Sequence, residues 1–205
     1  MSLDARRFVV AGALLFVSTS ALPAFAQAGE ARPQPDWTVP GLHALGLMTV
    51  MRVSEAYLWP DPFAETDPYV LGFHYQQAFT QPPRWDTSRP LLEADGDRWQ
   101  INVIGHGLFG SELYLRARTC RKSPGQALAF TLLGSVAWEY GFEANGVRPS
   151  ALDLTLTPAL GLVLGEVRYF GWSSANRMPR GAWRSVLKVV FDPLGELERV
   201  AGTPC

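Results

Sequence analysis

The hydrophobic pattern opens with an unbroken apolar run over residues 8–17 and becomes periodic only further on. Between 40 and 58, Leu42, Leu45, Val50, Val53 and Tyr57 recur with almost no charge among them, as in one amphipathic or buried helix, and Pro60 and Pro62 end it. From 61 to 97 the prolines at 62, 68, 82, 83 and 90 predict a long irregular segment with a short extended piece at 69–79. Asp97 and Gln100 have the spacing of a capping box, which predicts a helix over about 98–118. Ser123-Pro124 and Thr157-Pro158 each put a capping residue before a proline at the first helical position. They predict a second helix that runs to about Glu143 and stops at Asn145-Gly146, and a third that lasts to about Phe170 and stops at Gly171, with a short turn at 150–153 between them. A last apolar segment, 182–191, carries Arg184 and Lys188 one turn apart and is closed by Asp192-Pro193.

One stretch departs from this period. Leu152, Leu154, Leu156, Leu160, Leu162 and Leu164 all fall on even positions, a strand-like alternation. A membrane β-barrel, the alternative fold, needs many such segments, whereas here there is one and Pro158 splits it, so helix is preferred. Glycines 105, 107, 110, 134, 141, 161 and 165 fall inside expected helices, where each costs about 1 kcal/mol relative to alanine. Small residues four apart, such as Gly161 and Gly165, let backbones approach closely, and tight packing is the expected compensation. The fold class expected is mainly α, a bundle of four to five helices with long proline-rich loops.

The first apolar run has its own explanation. Arg6 and Arg7 precede it and Ala24-Phe25-Ala26 follows it, the three parts of a secretory signal over 1–26 with cleavage before Gln27. The run is too short for the roughly 20 residues of a membrane span, and Pro23 interrupts its continuation. No cysteine follows the cleavage site, which argues against a lipid-anchored N-terminus. Residues 27–36 then read as a disordered exit, and 37–205 as one domain exported to the periplasm or outer membrane of a Gram-negative bacterium.

Removing Asp4, Arg6 and Arg7 from 18 basic and 19 acidic side chains leaves 16 and 18, a net charge of −2 that excludes a nucleic-acid partner. With 47% apolar residues, 18% charged residues and seven Trp, the chain is greasier than an ordinary soluble domain, so a membrane lipid or an envelope protein is the expected partner. Trp37, Trp59, Trp85 and Trp172, near expected helix ends, suit a membrane interface, although core positions explain them too. Cys120 and Cys205 lie in the exported part, where a disulfide is permitted; spacing alone does not show that they meet.

Charges are sparse in the central helices, which makes those present informative. Asn102 and His106 share a face of the first; Ser135, Glu139 and Glu143 form a four-spaced row on the second; Asp153 precedes the third and Glu166 lies within it. Three readings compete for this polar cluster. In the preferred, structural one, Arg116, Arg118 or Arg168 neutralises Glu139 and Glu143. In the second, one imidazole and several carboxylates hold a metal ion, though no Glu-x-x-His pair is present. In the third, His106 is a general base with Glu139 or Glu143 as its partner and Ser135 or Ser111 as nucleophile, though neither serine sits in a Gly-x-Ser-x-Gly elbow. The catalytic candidates are thus His106, Glu139 and Glu143. His43 and His74 read as helix-face or loop residues, and no cofactor or metal identity follows from the pattern.

The order Trp99, Asn102, Gly105-His106, Gly110-Ser111, Ala117-Arg118, Ser135, Trp138-Glu139-Tyr140, Glu143, Ser150, Asp153, Thr157-Pro158, Gly161 and Gly165-Glu166 resembles an uncharacterised bacterial envelope family, domain of unknown function 3943. The resemblance spans about 70 residues and implies a shared fold and an envelope location, without a reaction. The leading expectation is a non-catalytic, membrane-associated envelope protein. The alternative is an envelope hydrolase or transferase acting on lipid or cell-wall material.

Overall fold

The computed structural model describes residues 36–202 and 205; the signal segment and nearly all of the expected disordered exit lie outside them. The described residues form eight α-helices and no strand, where four to five helices are expected from the sequence, and nothing in them supports the barrel alternative. The helices are α1 (Thr38–Leu58), α2 (Pro60–Phe63), α3 (Pro68–Thr80), α4 (His106–Thr119), α5 (Pro124–Ala137), α6 (Asp153–Arg177), α7 (Ala182–Phe191) and α8 (Pro193–Val200). Two π-helical turns, Ile101–Gly105 and Trp138–Phe142, lead into α4 and out of α5.

The additional helices come from capping signals whose prolines look like breakers. Asp67 accepts a hydrogen bond from the Tyr69 amide with Pro68 at the first position, so 69–79 is helical, not extended. Asp192-Pro193 likewise starts α8 instead of closing the chain, with the Asp192 carboxylate accepting from Gly195. Ser123 caps α5 as expected, and Gln126 completes with it a capping box not expected from the sequence. At 97–100 no such box forms: the Asp97 amide donates to Asp95 at 3.1 Å and the Trp99 amide to Glu93 at 3.3 Å. Pro158 lies inside α6, which begins at Asp153, so Thr157 is not its cap. Gly171 does not end α6 either: a methyl there would lie 2.5 Å from the Phe191 ring, so its smallness lets α7 fold back onto α6.

The centre of the bundle is α4, packed most extensively on α6 and flanked by α5. A β-carbon at Gly161 would stand 2.8 Å from the Gly110 carbonyl carbon and 2.9 Å from Thr131, so the α4–α6 crossing has backbone against backbone. That contact repays the helix-weakening glycines through dispersion over closely matched surfaces. The apolar core is small: Phe109, Leu113 and Trp138 meet Ala44 and Met48 of α1, and Tyr114, Ala117 and Ala127 form a second group. Cys120 is joined to Cys205, Cα atoms 4.9 Å apart, which ties the chain's end to the exit of α4.

The even-numbered leucines illustrate why period two misleads here. Leu152 is buried just before α6; the other five sit on that helix, whose narrow inward stripe is Thr157, Pro158, Gly161 and Gly165, and flank the stripe half-buried.

Candidate functional site

The polar side chains of the central helices gather where the two π turns face the start of α6. A π turn adds a residue to the helical circuit and shifts the phase of the side chains beyond it. In the first, the His106 amide bonds to the carbonyl of Ile101; Asn102 and His106 turn inward and Ile101, Ile104 and Leu108 are exposed. In the second, the Glu143 amide bonds to the Trp138 carbonyl at 2.9 Å, and Trp138 and Glu139 are both about 1% exposed. Asp153 is delivered by the first turn of α6, where the hydroxyl of Ser150 accepts the Asp153 amide at 3.0 Å.

His106, Glu139 and Asp153 each turn a donor atom inward, the three within 4.8 Å of one another. His106 Nδ1 lies 3.0 Å from the Thr157 hydroxyl, and its Nε2 stands 3.7 Å from Asp153 Oδ2. Glu139 Oε2 accepts the Ser150 amide at 2.7 Å, while its Oε1 and Asp153 Oδ1 are buried without a hydrogen-bond partner among the described residues, as is Asn102 Oδ1. Behind these stands Asp95, which accepts from Asn102 at 2.9 Å, from the Ser150 hydroxyl at 2.8 Å and from the Asp97 amide at 3.1 Å.

Burial dominates the protonation of this group. It holds the His106 imidazole down to about 4, against the opposing pull of Asp95. It raises Asp153 to about 9, helped by the hydrogen-bonded Asp95 carboxylate, and Glu143 to about 8, helped by Glu55 and Asp97. Glu139 is pushed well above the usual carboxylate range, first by burial and then by Glu143. Asp95 is the exception: burial works to raise it, but hydrogen bonds from Asp153, Asn102 and Ser150 outweigh that and hold it low.

The remaining expected members are elsewhere or otherwise engaged. Arg118 and Glu166 pair with each other at 2.7 Å, with the Tyr114 hydroxyl donating to the same carboxylate at 2.6 Å, in a separate group beside Tyr169. Glu143 adjoins Glu139 but faces Glu55 and Asp97. The Ser135 hydroxyl donates to the Asp153 carbonyl at 3.2 Å, and the Ser111 hydroxyl donates to Leu108 and accepts from Arg168 at 2.7 Å, so both are occupied structurally. His74 is a loop contact, Nδ1 2.6 Å from the Asn145 carbonyl.

Arg116 and Arg168 do not neutralise Glu139 and Glu143, because both serve a second, charge-matched network. Glu112 Oε2 lies 2.6 Å from Arg168; its Oε1 lies 3.3 Å from His43 and 3.4 Å from Arg116. Arg116 also meets Asp192 and Glu198 at 3.2 Å each, and Arg199 meets Asp192 at 3.1 Å. His43, which reads in the sequence as a helix-face residue, joins Glu112 to Glu198 and so ties α1 and α8 to α4.

A family model, Domain of unknown function (DUF3943), matches residues 91–194, half of the chain. The chain belongs to the DUF3943 family. No curated protein and no solved structure matches it. The DUF3943 match contains every member of the His106 site, from Asp95 to Thr157. It contains only part of the second network, since His43, Glu198 and Arg199 fall outside. Two site residues escape the sequence pattern: Asp95 is hidden in an apparent turn, Ala94-Asp95-Gly96-Asp97, and Thr157 in an apparent helix cap.

Proposed function

We propose that this DUF3943 protein is a non-catalytic, exported envelope protein that beds part of its surface on an anionic membrane. The distribution of polarity carries this reading. Charged and polar groups occupy the interior, among them Glu112, Arg116, Asp153 and Asp192, while large apolar side chains face outward on every long helix, for example Tyr57 at 85%, Phe170 at 72% and Trp183 at 74% exposure. Water rewards the opposite arrangement by about 25 cal/mol for each Å² of apolar surface removed from it. Large apolar side chains left facing outward in such number suit a lipid or partner contact. No helix among the described residues is long and apolar enough to cross a bilayer, so the contact is interfacial.

The contact is best formed at α7. Trp183, Val186 and Val190 make one exposed apolar stripe, and between Glu166 and Asp192 the sequence has five basic residues, including Arg177, Arg180 and Arg184, and no acidic one. A basic helix with an aromatic-aliphatic stripe lies in the headgroup plane and favours anionic lipid. The closed His106 site supports the non-catalytic part, since its members are all buried. The test is flotation of the purified chain with phosphatidylglycerol vesicles and with phosphatidylcholine vesicles. Wild type floats with the anionic vesicles and a Trp183→Asp, Val190→Asp double variant does not; a wild type that stays behind with both compositions refutes the reading. N-terminal sequencing of the secreted form, expected to begin at Gln27, checks export.

A further inference from the structure

We infer that His106, Glu139 and Asp153 hold a divalent metal ion in a closed, structural site that joins α4, the turn after α5 and the start of α6. This goes beyond membrane association and is independent of it.

The three donor atoms lie within 4.8 Å of one another, and His106 Nε2 is already 3.7 Å from Asp153 Oδ2. An ion bound at roughly 2.0–2.2 Å from each donor needs them about 3.4 Å apart in a tetrahedron, so closing the set takes side-chain movements of about 1 Å. Unsatisfied oxygens point the same way. Glu139 Oε1 and Asp153 Oδ1 belong to side chains that are 1% and 2% exposed and receive no N–H or hydroxyl hydrogen bond among the described residues, the Asp153 carboxyl otherwise meeting that of Asp95. Buried carboxylate oxygens left unpaired are costly, and a cation is the partner that satisfies both together. Asn102, one turn before His106, has a third such oxygen.

The outer shell matches what a metal ligand requires. Thr157 engages His106 Nδ1, which leaves Nε2 for the ion and fixes the ring plane. The Ser150 amide holds Glu139 Oε2, and the Ser150 hydroxyl, fixed by Asp95, caps the Asp153 amide. The neighbouring arginines are committed elsewhere: Arg116 and Arg168 serve Glu112, Arg118 serves Glu166, and Arg84 lies by Asp97 at 3.7 Å. One imidazole with two carboxylates suits Zn²⁺, Mn²⁺ or Fe²⁺, and the burial of all three ligands, with the Asn102 carboxamide oxygen beside them, closes the centre to bulk solvent.

The test uses the tag-free, full-length chain equilibrated with Zn²⁺ and separately with Mn²⁺, desalted, and read by elemental mass spectrometry with thermal melts in parallel. The expected result is about one ion per chain in wild type, less than a tenth of that in Glu139→Gln and in Asp153→Asn, and a wild-type melt that EDTA lowers. Glu166→Gln, in the separate Arg118 group, retains the ion, and Thr157→Val binds it about tenfold more weakly, as loss of an outer-shell partner does. Should the ligand variants not fold, Co²⁺ added to wild type decides: visible ligand-field bands that Zn²⁺ abolishes support the site. A wild type that takes up no ion and whose melt ignores both Zn²⁺ and EDTA overturns it, as does equal loss of metal in Glu166→Gln and Asp153→Asn.

Discussion

Replacing Glu112 by Gln removes one charge from the middle of the second network while keeping the side chain's shape. Glu112 is buried, with Arg168 at 2.6 Å on one oxygen and His43 and Arg116 on the other. Burial alone would raise its carboxyl, but His43 and Arg168 outweigh it and hold the group at about 2 instead of its ordinary 4.5. At about 1.4 kcal/mol per pH unit this difference is worth roughly 3 kcal/mol at neutral pH. Truncating one partner of a buried ion pair costs a comparable 3–5 kcal/mol or so. The Gln amide would also turn a donor toward guanidinium donors. For a domain of this size the melting point falls by about 2–4 °C per kcal/mol, so the variant should melt roughly 6–12 °C lower at pH 7. A depressed carboxyl stabilises above its unfolded value, so wild type loses this contribution as pH falls from about 4.5 toward 2, and the variant does not. His43 acts oppositely. Burial lowers it, but Glu112 and Glu198 more than offset that, so its contribution is complete below 6.5 and is lost as pH rises through the raised value. The groups facing this pair are Arg116, Arg168, Asp192, Glu198 and Arg199. Calorimetry from pH 3 to 9 is the assay, with Arg168→Met combined with Glu112→Gln to measure their coupling. A variant melting within about 2 °C of wild type, with a superimposable pH profile, would refute the network's contribution.

Glu55→Gln should act in the opposite direction. Burial raises Glu55 to about 7 despite Arg52 at 3.5 Å, because Arg52 spends a nitrogen on the Phe63 carbonyl and Asn145. Wild type therefore loses stability as pH rises from 4.5 to 7, and with a discount for partial exposure the variant gains about 1 kcal/mol at pH 7.5, visible as a higher denaturant midpoint. Gly161→Ala, placed against the Gly110 carbonyl and Thr131, should cost about 2–3 kcal/mol, whereas Gly125→Ala, with open space around it, should be neutral or slightly stabilising; chemical denaturation of the pair checks the backbone crossing.

Much of the helical framework is legible in the sequence because its signals are local. The helix over 40–58, the Ser123 cap and the helical segment 182–191 all appear where expected, although α1 buries Ala44 and Met48 and leaves Leu42, Leu45, Val50, Val53 and Tyr57 exposed. The departures share one physical cause: Pro and Gly carry two meanings. Pro68 and Pro193 begin helices when Asp precedes them, Pro158 is carried inside one, and Gly171 makes room for Phe191 instead of ending α6. For the site, four-residue spacing marks the rows Asn102/His106 and Ser135/Glu139/Glu143, but that His106 and Glu139 meet Asp153 while Glu143 does not join them depends on π turns that leave no mark in the pattern. Which arginine meets which carboxylate depends on helix phase across partners, so the pairing of Arg116, Arg118 and Arg168 with Glu139 and Glu143 expected from sequence is not the one that forms.

The two buried networks are made of the same residue types and differ in charge balance, and this difference separates structure from site. Around His43 each carboxylate has an arginine in contact: Glu112 has Arg168, Asp192 has Arg116 and Arg199, and Glu198 has Arg116. In such a network the charges are matched by ion pairs, so burying it asks for no further charge from outside the chain. Around His106, Asp95, Glu139 and Asp153 have amides, hydroxyls and one another, and two carboxylate oxygens have no partner among the described residues. A fold that merely needed polar specificity there could have used the arginines further along α4. It places them instead with Glu112 and Glu166, and leaves His106, Glu139 and Asp153 with donor atoms within 4.8 Å of one another and no arginine between them, the arrangement on which the inferred metal site rests.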